Sequence, residues 1–347
     1  MPDFRTISDF RKRHLKALGE LFLQVLKLCE TAGLVKLGHV ALDGTKIKAN
    51  ASKHKAMSYE RMKKREAELK AEVACMLATA EAADAQEDET FGKDKRGDEM
   101  PDWASDKEKR LAKIQEAMAA LEAEAKLAAE EERRIEAEKE QQRNAEGRKK
   151  PGRPAAPPSD QPDPKAQRNF TDPESRIMKA KEGFVQAYNA QAAVDADAQI
   201  IVAHGLTPCG SDQGQLVPLV EAIENNLGRK PEQASADSGY CSEPNLEALV
   251  ARGIDGYVAP GRAKHPAAVN GKAGPLTQLM RKKIDDGGFE TPYRLRKQVV
   301  EPVLEQIKEA RGFRQFLLRG VEKVRAEWAM ICTTHNLLKL FVLAKAA

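Results

Sequence analysis

The order of apolar and polar positions divides the chain into strands, amphipathic helices and unpatterned connections. Short apolar runs bounded by turn residues read as buried strands at His39 to Asp43, Phe184 to Val194, Gln199 to Leu206, Glu232 to Asp237 and Gly256 to Ala259. Spacings of three and four predict an N-terminal helix through Leu15, Leu18, Phe22, Val25 and Cys29, opened by a capping box at Thr6 to Asp9 and closed near Gly33. Further helices are predicted over 213–226 and 243–252, from about Glu301, and over a C-terminal stretch carrying Val321, Val324, Trp328, Ile331 and Leu338. A strand hairpin followed by alternating strands and helices gives an α/β fold, a mixed sheet covered on both faces.

After the first strand the period changes. Tyr59, Met62, Leu69, Val73, Met76 and Ala80 form one heptad seam, and Leu111, Ile114, Met118, Leu121, Ala125 and Ala128 a second. Joined by the polar stretch Asp84 to Asp106, they predict a long antiparallel helical hairpin of coiled-coil type, a structural arm suited to dimerisation. Proline and glycine then exclude helix, and Arg148 to Pro164 reads as an extended linker. Its Lys149-Lys150-Pro151-Gly152-Arg153-Pro154 resembles an AT-hook core, in which Lys149, Lys150 and Arg153 would meet the narrow minor groove of A·T-rich DNA. The alternative is a basic linker with no groove contact. Pro260 to Gly288 reads as a basic loop.

Chemistry enters where apolar runs stop at acids. Asp43 ends the first run, Asp237 ends a later one, and Glu301 opens a helix near the C-terminus. Hard cations take oxygen ligands, and two of them can stabilise attacking and leaving oxygens in phosphoryl transfer, so this layout suits two Mg²⁺ or Mn²⁺ ions. Asp43-Gly44 alone is more often a hairpin turn than a ligand. Glu305 competes with Glu301 as the third acid. His335 is expected to be a packed helix histidine, since two-metal chemistry needs no such base.

Charged residues are 32% of the 347 and aromatics 5%, which fits one core plus long solvated helices; the net charge of +4 is too small by itself to argue for a polyanion. The five cysteines lack paired spacing and read as reduced thiols. No apolar run approaches the ~18 residues of a membrane span. A soluble cytoplasmic protein with no membrane partner is expected.

Taken together, "ALDGT" around Asp43, "ADSGY" around Asp237, "DGTKIKANASKHKAMSY", "TDPESRIM" and "VEPVLEQIKEARGF" resemble the DDE transposases of bacterial insertion sequences, the branch with a Tyr-Arg-Glu-Lys signature. The resemblance implies an RNase H-like core at 37–56 and 170–347, interrupted by the helical hairpin at 57–146 and the linker at 147–169. Residues 1–36 would be the remnant of a larger N-terminal helical DNA-binding domain. It also implies that Asp43, Asp237 and Glu301 bind two Mg²⁺ (or Mn²⁺) ions and cut and join DNA at element ends without a covalent enzyme intermediate. Double-stranded DNA, a homodimer on that DNA and a nucleoid location follow. In the signature, Tyr and Arg lie seven and four residues before the Glu, and Lys seven after; here these slots hold Arg294, Lys297 and Lys308, with Tyr293 one place early. All four are expected at the DNA. Two alternatives stay open: a truncated, DNA-binding or dimerising remnant that inhibits full-length transposase, and a general RNase H-like nuclease.

Overall fold

The computed structural model describes residues 3–91, 102–145, 147, 157–180, 183–261, 274–287 and 291–346. The chain forms two compact units, Met1–Ser52 with Glu174–Ala347, and Lys53–Pro173.

The first unit is a mixed sheet with helices on both faces, an arrangement compatible with an RNase H-like fold. Its central strand, β1 (His39–Lys48), pairs antiparallel with a long strand over Gly183–Asp195 and parallel with one over Gln233–Ala236. Two short strands, Gln167–Asn169 and Ala56–Ser58, belong to the second unit. In chain order the strands are therefore β1, β2 (Ala56–Ser58), β3 (Gln167–Asn169), β4 (Arg176–Ala180), β5 (Gly183–Asp195), β6 (Ile201–Thr207), β7 (Gln233–Ala236) and β8 (Asp255–Val258). The sheet order is β4-β5-β1-β7-β8, with β6 also on β5. Residues Gln186 to Asp195 of β5 are all buried, and alanines at 187, 190, 192 and 193 keep this strand thin enough for helices to close on both faces.

Eight helices of this unit and the next are needed below: α2 (Leu15–Thr31), α3 (Tyr59–Phe91), α4 (Asp102–Ala145), α5 (Leu216–Leu227), α6 (Glu243–Ala251), α7 (Pro275–Asp286), α8 (Pro292–Glu305) and α9 (Val321–Ala346), with α1 (Phe4–Arg13) ahead of them. A Cβ on Gly205 would touch Leu219 of α5, whereas His204, on the opposite face, packs edge-on against Phe22 of α2. Trp328 of α9 donates through Nε1 to the Gln191 carbonyl at 3.0 Å. Asn336 of the same helix grips both backbone groups of Ile201, at 2.9 and 2.8 Å. These bonds register α9 on the sheet and satisfy polar groups buried there.

Several local expectations change. The N-terminal helix is two helices broken at His14, and Thr6 to Asp9 lie inside α1, whose N-cap position is Asp3 with no side-chain cap. Gly33, with φ of 74°, does close the segment. Residues 275–286, read as loop, are α7. Its first amides are capped from outside its own sequence, by the Glu243 carboxylate accepting from Leu276 and Thr277 at 3.2 and 2.8 Å. His335 is a buried helix residue with Nε2 on the Gln199 carbonyl at 3.0 Å. No described helix is long and apolar enough to cross a membrane.

The second unit pairs α3 with α4. Contacts of Tyr59 with Glu122, Glu66 with Gln115 and Glu72 with Lys107 run in opposite numerical order, so the helices are antiparallel. Met62, Leu69, Ile114, Met118 and Leu121 form their core. The side chains of Met76 and Ala80 lie outside the described residues. Both helices run further than the seams predicted, to Phe91 and from Asp102. Residues 157–166 are tied down: Arg133 donates to Asp160 and to the Pro158 carbonyl, and the carbonyls of Pro164 and Ala166 accept from the first amides of α3. A stretch expected to be an extended linker thus caps a helix. Lys149, Lys150 and Arg153 lie outside the described residues.

Candidate active site

Asp43 does not end its strand. β1 continues through Gly44 to Lys48; what stops at Leu42 is the pairing with β7, whose last partner is Ala236. Asp43 and Asp237 therefore follow equivalent positions of two neighbouring parallel strands, at the carboxyl end where open α/β sheets present ligands. The hairpin-turn reading of Asp43-Gly44 is excluded, because Gly44 pairs with Gln191 in mid-strand. Asp237 starts a short 3₁₀ turn, Ser238–Tyr240, and its Oδ1 accepts from the Gly239 amide at 2.8 Å.

A third carboxylate lies beside this pair. Asp212, between β6 and α5, accepts from Asn189 at 2.6 Å, Gln191 at 2.7 Å and Lys46 at 3.2 Å. Gln191 in turn accepts from the Tyr240 hydroxyl, so both ends of its amide are committed. Gly44 makes room for this network: a Cβ there would stand 2.3 Å from Gln191 Nε2, 2.7 Å from Asp212 Oδ1 and 3.0 Å from Asn189 Oδ1. A Cβ on Gly239 would meet Asp237 Oδ1 at 3.0 Å and Asp212 Oδ2 at 3.4 Å.

Helix α8 crosses the other face of β1. Arg296, buried, donates to Asp43 Oδ2 at 3.0 Å, while the Gly44 amide donates to Oδ1 at 2.8 Å. Burial pushes the Asp43 carboxyl up to about 6; Arg296 and the Gly44 amide pull against this rise, and the charges of Asp237 and Asp212 add to it. Burial likewise drives the Tyr240 hydroxyl well above its ordinary value, with Asp212, Asp43 and Asp237 adding to it. Lys308, in a π-helical turn that continues α8, donates to the Thr45 hydroxyl at 3.1 Å. Glu301 is half-buried on α8 and does not rank among the largest charges acting on Asp43. Arg294, Lys297 and Glu305 are exposed.

Arg296, Asp212, Gln191, Asn189, Lys46 and Tyr240 have no place in the reading from sequence. A signal existed for Arg296. Tyr293 and Arg296 are three residues apart, the spacing of the Tyr and Arg slots themselves, and the guanidinium lies 6.0 Å from the Tyr293 ring centre. Anchoring both slots on Glu301 misses the pair by one residue. Asp212 carries no comparable signal, since "CGSDQGQ" reads as a polar connection.

The chemistry of the donor set suits a hard divalent ion at Asp43 and Asp237, two partly exposed carboxylates at one rim whose charges oppose each other. Among the described residues no three His, Cys, Asp or Glu side chains converge as a ready-made ion cage, so Glu301 does not close on the pair in this arrangement. Arg296 supplies the compensating charge to Asp43.

Fold and site thus define a mixed α/β protein with a carboxylate-rich centre at the end of adjoining parallel strands. A family model described as a transposase DDE domain matches residues 262–341, a stretch that contains α7, α8, most of α9, Glu301 and Lys308, and leaves Asp43 and Asp237 outside it. A search of curated proteins finds no match.

Proposed function

We propose that the chain is a DNA transposase with an RNase H-like core, a metal-dependent phosphoryl transferase that cuts and joins DNA at insertion-sequence ends. The observation that carries this reading is the juxtaposition of Asp43 and Asp237 beneath a helix that the transposase family model covers. Asp43, Asp237 and Glu301 are the residues that would hold Mg²⁺ or Mn²⁺. When bound, two such ions polarise a phosphodiester and lower the pKa of water or a 3′-hydroxyl. Arg296 holds the Asp43 carboxylate in place and offsets its charge until a cation does so. Gln191, clamped by Asp212 and Tyr240, stiffens the strand that backs Asp43. Lys308, anchored beside Thr45, lies on the same face of β1 as Asp43 and is placed to meet a phosphate. Arg294, Lys297 and Tyr293 complete a cationic and aromatic N-terminal half of α8 for the DNA backbone.

The test is Asp237→Asn. Mg²⁺-dependent nicking and joining of a duplex bearing the element's ends should fall at least about a hundredfold, with DNA binding retained. Full activity in the variant removes Asp237 from the centre.

A further inference from the structure

A broad cavity lies within the helical unit, away from the carboxylates. It is about 1020 Å³ and is lined from β2, the first turns of α3 and the facing stretch of α4, with Ile114 and Phe170 on its wall. Seven lysines and arginines line it against two acids. Both acids are already answered: Glu68 by Arg65 at 2.9 Å and Asp106 by Lys109 at 4.0 Å. Lys55, Arg61, Lys64, Arg110 and Lys113 remain, exposed and with no carboxylate within 4.0 Å among the described residues.

This is not the dispersed charge of a solvated helix. Farther along α4, from Glu130 to Glu140, six acids face three bases. Arg61 and Lys64 are one helical turn apart on α3, as are Arg110 and Lys113 on α4, so each helix presents a cationic stripe to the same groove, with charges about 5 Å apart along it. Like charges gathered at this spacing repel one another, and Glu68 and Asp106, each paired with another base, are the two acids that line the groove with them. A polyanion of regular spacing relieves that repulsion. Duplex DNA, with a phosphate charge every ~1.7 Å of axis, is such a ligand.

We infer that the groove between α3 and α4 is a second DNA-binding site, one that grips the phosphate backbone of a duplex without reading its sequence. The proposal deepens the transposase reading and rests on it for the choice of DNA. It assigns the inserted hairpin the role of holding DNA as well as any role in pairing subunits.

The experiment measures binding of the full chain to a mixed-sequence 40-base-pair duplex by fluorescence anisotropy across a KCl series. The variants are R61Q/K64Q/R110Q/K113Q and a control that removes four charges elsewhere on the same helices (K70Q/K126Q/R134Q/K139Q). Helical circular dichroism checks that each is folded. In the groove variant the slope of log affinity against log salt should become shallower by about 3 to 4, and low-salt affinity should fall at least about tenfold. The control should keep the wild-type slope. An unchanged slope in the groove variant overturns the proposal, as does an equal loss in the control or binding confined to single-stranded RNA. Groove-dependent duplex binding by a wild-type chain that neither nicks nor joins DNA sustains the groove and defeats the catalytic reading, so the two fail separately.

Discussion

Gly44→Ala tests whether the carboxylate centre is as tightly interlocked as the distances imply. The new methyl would stand 2.3 Å from Gln191 Nε2, 2.7 Å from Asp212 Oδ1 and 3.0 Å from Asn189 Oδ1. Each is the tip of a side chain, which ordinarily swings aside at little cost. Here none is free to swing. Gln191 is held by Tyr240 and Asp212, and Asp212 by Asn189, Gln191 and Lys46. Overpacking of this kind costs about 1–3 kcal/mol. Displacing Asp212 from even one charge-assisted bond adds roughly 1.5 kcal/mol or more, for a total of about 3 kcal/mol. In a unit of this size that is a fall in Tm of roughly 6–12 °C. Gly214→Ala, two residues from Asp212 with no atom within 4 Å of the new Cβ, is the matched control and should stay within about 0.5 kcal/mol of wild type. Thermal and guanidinium unfolding of both variants decide the matter. A Gly44→Ala protein that melts within about 1 °C of wild type refutes the interlocking.

Other outcomes follow from buried titratable groups. Asp43 has its carboxyl raised from 3.8 to about 6, so its contribution to stability is fully present below pH 3.8 and is lost as pH rises through about 6. In chelator, the unfolding free energy of wild type minus that of Asp43→Asn should therefore fall by roughly 3 kcal/mol from pH 3.5 to 7; a flat difference refutes the burial argument. His335 has the opposite sign. Burial lowers it from 6.5 to about 4, so its contribution is present above pH 6.5 and disappears toward pH 4, and an imidazole NMR midpoint near 6.5 would contradict the packed, neutral state. Among the cysteines, exposed Cys75 and Cys209 should react with a thiol reagent in the native protein, whereas buried Cys29 and Cys332 should wait for unfolding; equal rates for all four would count against this core.

Much of the fold is legible along the chain because local pattern records burial. An apolar run such as Val40-Ala41-Leu42 must be covered on both faces, and the 184–194 and 199–206 runs around Asp195 to Ala198 can satisfy their backbone groups as a hairpin; β5 and β6 form there. Seams at 59–69 and 111–121 likewise predict partner helices, and Met62, Leu69, Ile114 and Leu121 meet in one core. Position along a strand also places Asp237 just past the end of β7 before any coordinates are known, whereas Asp43, expected to end its run, lies in mid-strand where the pairing with β7 stops. What sequence cannot supply is the partner of a polar group when that partner is set by strand order. Asp43 meets Arg296 across 253 residues, α7 takes its cap from Glu243 more than thirty residues away, and Asp212 reaches Gln191 only because Gly44 leaves room between β1 and β5. The apolar pattern decides which segments are buried, since each buried residue contributes to that choice separately. Register and crossing geometry decide which charges meet, because a displacement of one residue turns every strand side chain to the opposite face.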